Sequence, residues 1–210
     1  MAEDRNLGAY RGKRDFGRTA EPKGGSAASA DEDRHRFVVQ IHDASTMHFD
    51  FRLQVGDVLK SWSVPKGPST DPHDKRLAMP TEDHPLEYEE FEGVIPQGEY
   101  GGGTVIVWDS GTYRPMSHDK KGRPVPFDES LDRGHATFWL NGSKLHGGYA
   151  LTRFRGGDEG EGEREAWLLV KADDKRARAG RGTPDPRRAR SVHSGRTLHQ
   201  VAEQSGAEPH

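Results

Sequence analysis

The chain contains no cysteine in 210 residues. Disulfides and thiolate metal sites are therefore excluded, and a reducing, cytoplasmic location is the compatible expectation. Long apolar runs are also missing. None approaches the ~20 residues a membrane-spanning helix needs, and Met1-Ala2-Glu3-Asp4-Arg5 lacks the pattern of a signal peptide. Hydrophobic residues make up only 31%, and mean hydropathy is −0.96. So polar a chain is expected to leave part of itself disordered. Its length still allows one domain with a real core. Helix-period apolar patterns are almost absent, which points to β structure. The net charge of −3 gives no overall signature of a nucleic-acid binder. It conceals an arginine-rich stretch from Lys171 to Arg196 and an acidic one from Glu82 to Glu92.

Three regions separate by composition. Residues 1–34 form a polar leader with a linker-like run from Gly24 to Ala30. Residues 35–172 alternate short β-like runs with turn residues. Residues 173–210 are dominated by Arg, Gly, Pro and Ser and read as a basic, disordered tail. Strands are expected near 36–42, 48–55, 58–64, 76–81, 86–92, 103–108, 111–114, 135–140, 148–154 and 166–171, punctuated by Gly-Asp, Asp-Ser-Gly and Asn-Gly. Many short strands with frequent turns imply an antiparallel sandwich or a closed barrel. A compact antiparallel β-barrel is the fold expected, because closure removes exposed edges.

The most informative pattern is Phe37-Val38-Val39-Gln40-Ile41-His42, a polar loop, and His48-Phe49-Asp50-Phe51-Arg52-Leu53. Side chains alternate faces along a strand. Gln40 and His42 therefore share one face, and His48, Asp50 and Arg52 share one face of the next strand. Val39, Ile41, Phe49, Phe51 and Leu53 fall on the other. Pairing across a loop from Asp43 to Met47 sets His42 opposite His48 and Gln40 opposite Asp50, with Cβ atoms about 5 Å apart. Two imidazoles and a carboxylate suit Mn, Fe or Zn. Three protein ligands leave coordination sites open, as catalytic sites do. Arg52 beside them suggests an anionic substrate such as phosphate. The lumen or mouth of the barrel is the expected place for this polar face.

His84, in a polar stretch between two expected strands, could protonate a leaving group or stabilise phosphoryl charge, and Tyr88 could donate a hydrogen bond. Lys66, in Val64-Pro65-Lys66-Gly67-Pro68, and Arg76 could bind phosphate. Solvated surface charge is the plainer reading of either. Gly98-Glu99-Tyr100-Gly101-Gly102-Gly103 lacks a GK[ST] ending and a following helix, so it reads as a close-approach turn rather than a phosphate loop. The leader mixes aromatic and basic residues from Tyr10 to Pro22, a combination that suits nucleic acid, while a disordered leader is the plainer reading of the composition.

Several ordered strings resemble the 3′-phosphoesterase module of bacterial DNA ligase D, in stand-alone form. They are Tyr10-x-x-Lys13-Arg14-Asp15-Phe16-x-x-Thr19-x-Glu21-Pro22, the hairpin above, Leu59-Lys60-Ser61-Trp62-x-Val64-Pro65-Lys66-Gly67-Pro68, Glu82-Asp83-His84-Pro85-Leu86-x-Tyr88, and Phe91-Glu92-Gly93-x-Ile95-Pro96-x-Gly98-x-Tyr100-Gly101-Gly102-Gly103. The resemblance spans roughly Tyr10 to Lys171. It implies a β-barrel enzyme that heals 3′ ends of DNA or RNA/DNA primer-templates. Such an enzyme removes a 3′-terminal ribonucleoside and then the remaining 3′-phosphate, using a divalent metal, manganese first, with zinc or cobalt as alternatives. By position it makes His42, His48 and Asp50 the metal ligands and sets Arg52 and His84 on the scissile phosphate. Gln40, Lys66, Arg76 and Tyr88 become supporting residues, and Arg14, Asp15 and Glu21 contributors from the leader segment 10–22. No Lys-x-Asp-Gly ligase motif is present, so separate ligase and polymerase proteins of end joining are the expected partners, with no membrane involved. Two rival readings remain. A non-haem iron oxygenase also uses two histidines and a carboxylate. A non-catalytic nucleic-acid-binding barrel would explain the basic tail but not the ligand-type residues.

Overall fold

In the computed structural model, residues 7–25, 35–156 and 164–206 are described. The linker-like residues 26–30 lie outside them. The chain begins with α1 (Gly8–Gly12), followed by β1 (Arg36–Asp43), β2 (His48–Val55), β3 (Val58–Val64) and β4 (Lys75–Pro85). A 3-10 helix (Leu86–Glu90), β5 (Gly93–Ile95), β6 (Gly103–Pro115) and α2 (Phe127–Asp132) come next. The order closes with β7 (His135–Gly142), β8 (His146–Arg155), β9 (Ala166–Lys171) and α3 (Leu198–Ser205). Every pairing is antiparallel, in the order β1-β2-β3-β4-β9-β8-β7-β6, and β1 returns to β6. The result is the expected closed barrel of eight strands. β5 pairs only with the start of β6.

Alternation along β1 and β2 explains how the barrel fills. Phe37, Val39, Ile41, Phe49, Phe51 and Leu53 join Trp62, Phe138, Tyr149 and Leu151 in one buried cluster. Fully burying each such side chain stabilises the fold by about 1.5–3 kcal/mol relative to exposure. The lumen is thus packed with apolar side chains. The polar face of the hairpin looks outward, which corrects the lumen placement. It is not solvated, because a second cluster covers it: Tyr10 from α1, Tyr88 and Phe91 around the 3-10 helix, and Val38, Leu59, Ile95, Val105 and Val107 from the wall. Both faces of this wall are buried.

Local differences have physical causes. Leu86–Glu90 is a 3-10 turn rather than a strand. Phe91 N–H closes onto the Tyr88 carbonyl, and buried Gln40 satisfies the carbonyls of Tyr88 and Phe91. His84 lies within β4, opposite Leu59, rather than in a loop. Asp109-Ser110-Gly111 does not turn. The Asp109 carboxylate accepts the N–H groups of Ser143, Lys144 and Leu145. A Cβ at Gly111 would lie 2.1 Å from the Asn141 carbonyl oxygen, so β6 runs on beside β7.

The tail also departs from expectation, since its residues 173–206 pack on the barrel. α3 carries a capping box from Thr197 and Gln200 and ends at Gly206 in the left-handed conformation. It buries Leu198, Val201 and Ala202. Lys171 is buried and donates to Asp174 at 2.7 Å and to the carbonyls of Ala172 and Gly148. A few well-spaced apolar residues anchor the segment, and the surrounding arginines hid them from a reading by composition.

Candidate metal and phosphate site

The hairpin register is His42 opposite His48, Gln40 opposite Asp50 and Val38 opposite Arg52. It gathers His42, His48 and Asp50 so that one ligand atom from each lies within 4.8 Å of the others. Asp50 Oδ1 is 3.4 Å from His48 Nε2, and Oδ2 is 3.7 Å from His42 Nδ1. Two atoms bound to one ion at 2.0–2.2 Å are about 3.0–3.4 Å apart at octahedral or tetrahedral angles. These two pairs lie near that spacing through different oxygens of Asp50, and the set as a whole, spread over 4.8 Å, would draw in around an ion.

The protonation pattern fits as well. His42 Nε2 is 2.7 Å from the Gly101 carbonyl, and His48 Nδ1 is 2.9 Å from the Thr46 carbonyl. A carbonyl only accepts, so each proton sits on that nitrogen. The lone pairs of His42 Nδ1 and His48 Nε2 are then left facing Asp50. Such partners on the second nitrogen orient metal-binding imidazoles in general. Asp50 is fully ionised. Burial acts to raise its carboxyl, but the Arg52 charge holds it well below the ordinary carboxylate range. Burial likewise works against a charged His48, yet Asp50 raises it above the usual imidazole value, so a proton competes with a cation for the Nε2 lone pair.

Arg52 extends the polar face. Its side chain is 3% exposed. Nε donates to Gln40 Oε1 at 2.8 Å, Nη2 lies 3.4 Å from Asp50 Oδ2, and the guanidinium sits 4.9 Å from the centre of the Tyr88 ring. Gln40 in turn spends its amide hydrogens on the Tyr88 and Phe91 carbonyls at 2.8 and 3.0 Å. The guanidinium plane is held from three sides. His84 Nδ1 is 2.8 Å from the Glu82 carbonyl and 3.2 Å from Arg52 Nη1. The closer partner can only accept, so Nδ1 carries the proton and Nε2 a lone pair. Burial, then the charges of Arg52 and Arg14, push His84 well below its usual value and keep it neutral.

The N-terminal segment forms the roof. Arg14 Nε pairs with Glu21 at 2.9 Å, and Arg14 Nη1 pairs with Glu82 at 3.1 Å. Glu21 also accepts from the Tyr88 hydroxyl and the Thr19 hydroxyl, each at 2.9 Å. Tyr88 therefore donates within the protein. Its ring packs against His84 at 4.6 Å, and burial followed by the Glu21 charge pushes its phenol well above the usual range. Tyr10 adds its ring to Arg14, His84 and Tyr88.

Gln40, His42, His48, Asp50, Arg52, His84, Tyr88, Arg14 and Glu21 thus form one connected constellation. Asp15, Lys66 and Arg76 are not drawn into it. Asp15 is exposed, and its carboxylate accepts from Gly17 N in a turn. Lys66 is exposed in the turn after β3. Arg76 lies on the lumen side of β4, the side of Ala78, where it meets Asp74 and Thr183 at 3.4 Å. Sequence reasoning passed over Glu82 and the carbonyls of Thr46, Gly101 and Glu82. Main-chain acceptors carry no residue signal. The glycine run is the expected close-approach turn: a Cβ at Gly103 would lie 2.1 Å from the Asp43 carbonyl oxygen.

Known proteins are similar to this chain in sequence. A curated relative, the multifunctional non-homologous end joining protein LigD of Pseudomonas aeruginosa, is 46% identical over 179 residues, 85% of this chain and 20% of the relative. The multifunctional non-homologous end joining DNA repair protein LigD of Mycobacterium tuberculosis is 43% identical over 150 residues, 71% of this chain and 18% of the relative. The Mycolicibacterium smegmatis LigD is 40% identical over 171 residues, 81% and 21%. The chain spans about a fifth of the length of these relatives. A family model described as the DNA Ligase D 3′-phosphoesterase domain matches residues 40–153, from Gln40 across the hairpin, His84 and the glycine turn into β8. The chain belongs to the DNA ligase D 3′-phosphoesterase domain family.

Proposed function

We propose that this protein is a divalent-metal-dependent phosphoesterase that processes the 3′ ends of DNA and RNA/DNA primer-templates in end joining. It removes a 3′-terminal ribonucleoside and then hydrolyses the 3′-phosphate to a hydroxyl. The observation that carries this reading is the pair of imidazole lone pairs, fixed by the Gly101 and Thr46 carbonyls, converging on ionised Asp50 beside Arg52. A binding-only barrel has no use for that alignment. His42, His48 and Asp50 hold the metal; the two-nitrogen, one-oxygen set suits Mn, Fe or Zn, and the family resemblance favours manganese. When bound, the ion supplies Lewis-acid stabilisation of charge on a phosphate oxygen.

The remaining work falls to side chains. Arg52 presents its planar fork to the other phosphate oxygens, already oriented by Gln40 and Asp50. His84 is neutral before substrate arrives. A phosphate anion offsets the Arg52 and Arg14 charges that depress it, so binding draws a proton onto Nε2. The imidazolium then donates to the phosphate or to the departing oxygen. Gln40, Tyr88, Arg14 and Glu21 position Arg52 and His84.

The test is a primer-template ending in one 3′-ribonucleotide, incubated with protein and manganese. A product one nucleoside shorter with a 3′-phosphate, then a 3′-hydroxyl, is expected. A primer that is shifted on a gel but intact overturns the reading. Arg52→Lys is expected to lose most turnover, because an ammonium cannot reach Gln40 and grip phosphate in a fork. Wild-type turnover in that variant would remove Arg52 from the phosphate.

A further inference from the structure

Between Lys175 and Arg190 the chain carries seven cationic side chains and a single acid, Asp185. Arg176, Arg178, Arg181, Arg187, Arg188 and Arg190 are all exposed. Among the described residues none of these six faces a carboxylate in an ion pair. Arg178 and Arg190 lean on main-chain carbonyls instead.

The segment is nevertheless pinned. Arg178 N donates to the Thr70 carbonyl at 2.8 Å, and Thr70 N to the Gly182 carbonyl at 3.3 Å. Gly180 N reaches Asp71 Oδ2 at 2.6 Å, and the Thr183 hydroxyl reaches the Pro68 carbonyl at 2.6 Å. Lys144 holds the Arg190 carbonyl at 2.6 Å. All but the last of these anchors lie in the loop that follows Lys66. A Cβ at Gly67 would lie 2.8 Å from both the Phe49 ring and Thr183 Cγ2. Phe49 stands between His48 and Asp50. The belt therefore meets the barrel beside Phe49, at the end where the β1–β2 hairpin turns.

A solubilising tail needs no such anchoring. Holding this many like charges on a fixed backbone costs self-repulsion, which an anionic partner relieves. We propose that the belt from Lys175 to Arg190 is a docking surface for the phosphodiester backbone of the duplex that adjoins the 3′ end. The choice of a DNA partner rests on the phosphoesterase reading above. Recognition is by charge and independent of sequence.

The experiment measures anisotropy of a labelled primer-template duplex against salt, with the full chain in EDTA. It compares wild type with a variant carrying Arg181→Gln, Arg187→Gln and Arg188→Gln. Each lost phosphate contact removes ~0.9 from the slope of log K against log salt. The triple variant is expected to bind at least roughly tenfold more weakly at moderate salt, with a slope smaller by about 2–3. The corresponding triple Arg→Lys variant should restore both, since the reading needs charge alone. Among the described residues the three side chains have no ion-pair partner, so melting temperatures should match. Turnover on a short single-stranded 3′-phosphate oligonucleotide should be unchanged. Equal affinity and slope in wild type and the glutamine variant overturn the belt and leave the phosphoesterase reading standing. Belt-dependent duplex binding by a protein that leaves the 3′ end intact supports the belt and overturns the phosphoesterase reading. Retained duplex binding with loss of binding only to a polyglutamate probe overturns the belt as a DNA surface and assigns it to an acidic protein.

Discussion

Replacing Glu21 with alanine tests whether the N-terminal segment is part of the site. The Glu21 side chain is fully buried. Its two oxygens accept from Arg14 Nε, the Tyr88 hydroxyl and the Thr19 hydroxyl, each at 2.9 Å. Removing one partner of a buried pair costs about 3–5 kcal/mol. Arg14 keeps Glu82 at 3.1 Å, which favours the low end of that range. The stranded hydroxyls of Tyr88 and Thr19 add back about 1–3 kcal/mol, not strictly additively. Residues 7–25 contribute no strand to the barrel. The loss should therefore appear as undocking of this segment before the barrel melts. About 3 kcal/mol raises an open population by roughly two orders of magnitude. Trypsin cleavage at Lys13, Arg14 and Arg18 reads that population directly. Near-UV circular dichroism follows the barrel, and 3′-end cleavage follows the site. Tyr88→Phe should couple to Glu21→Ala by about 0.5–3 kcal/mol in a double-mutant cycle. Unchanged proteolysis with unchanged cleavage activity would refute the roof as a working part of the site.

The remaining predictions concern the groups beneath that roof. Gln40→Ala strands Arg52 Nε and the Phe91 carbonyl inside the wall, so the denaturant midpoint should drop by the equivalent of about 2–5 kcal/mol, and an unshifted midpoint would contradict the assigned hydrogen bonds. His84 is depressed when folded, so below its unfolded value near ~6.5 the unfolded chain binds a proton that the native one does not. In EDTA, the stability of wild type relative to His84→Gln should therefore fall with decreasing pH, by up to ~1.4 kcal/mol per unit, and a flat difference would show that His84 is not held neutral. Manganese at ~100 times its dissociation constant should add about 2.7 kcal/mol to wild-type stability and nothing comparable to Asp50→Asn, as calorimetry would report, and equal stabilisation of both would move the ion elsewhere.

Much of this site was legible because the alternation of 37–42 and 48–53 sets which residues share a face and the short connection between them sets the register. The facing of His42 and His48, and of Gln40 and Asp50, follows from that alone. Which side of the wall faced the lumen was not legible. Both faces are buried, and the cover over the polar one comes from Tyr10 and Tyr88, distant in sequence. Arg76 looked eligible as a phosphate ligand because residue type says nothing about the side of β4 on which it stands. The imidazole tautomers depend on the Thr46, Gly101 and Glu82 carbonyls, which every residue possesses. The C-terminal helix was obscured because Leu198, Val201 and Ala202 are too few to register against so many arginines.

A filled cylinder with its reactive groups on the outer wall has a geometric consequence for what it can handle. On the proposed function, a chain end meets the wall beside its cover, where His48 is the least buried of the three ligands, and nothing has to be threaded through the barrel. The interior hydrocarbon can be repacked for thermal endurance while the outward-facing groups remain in register.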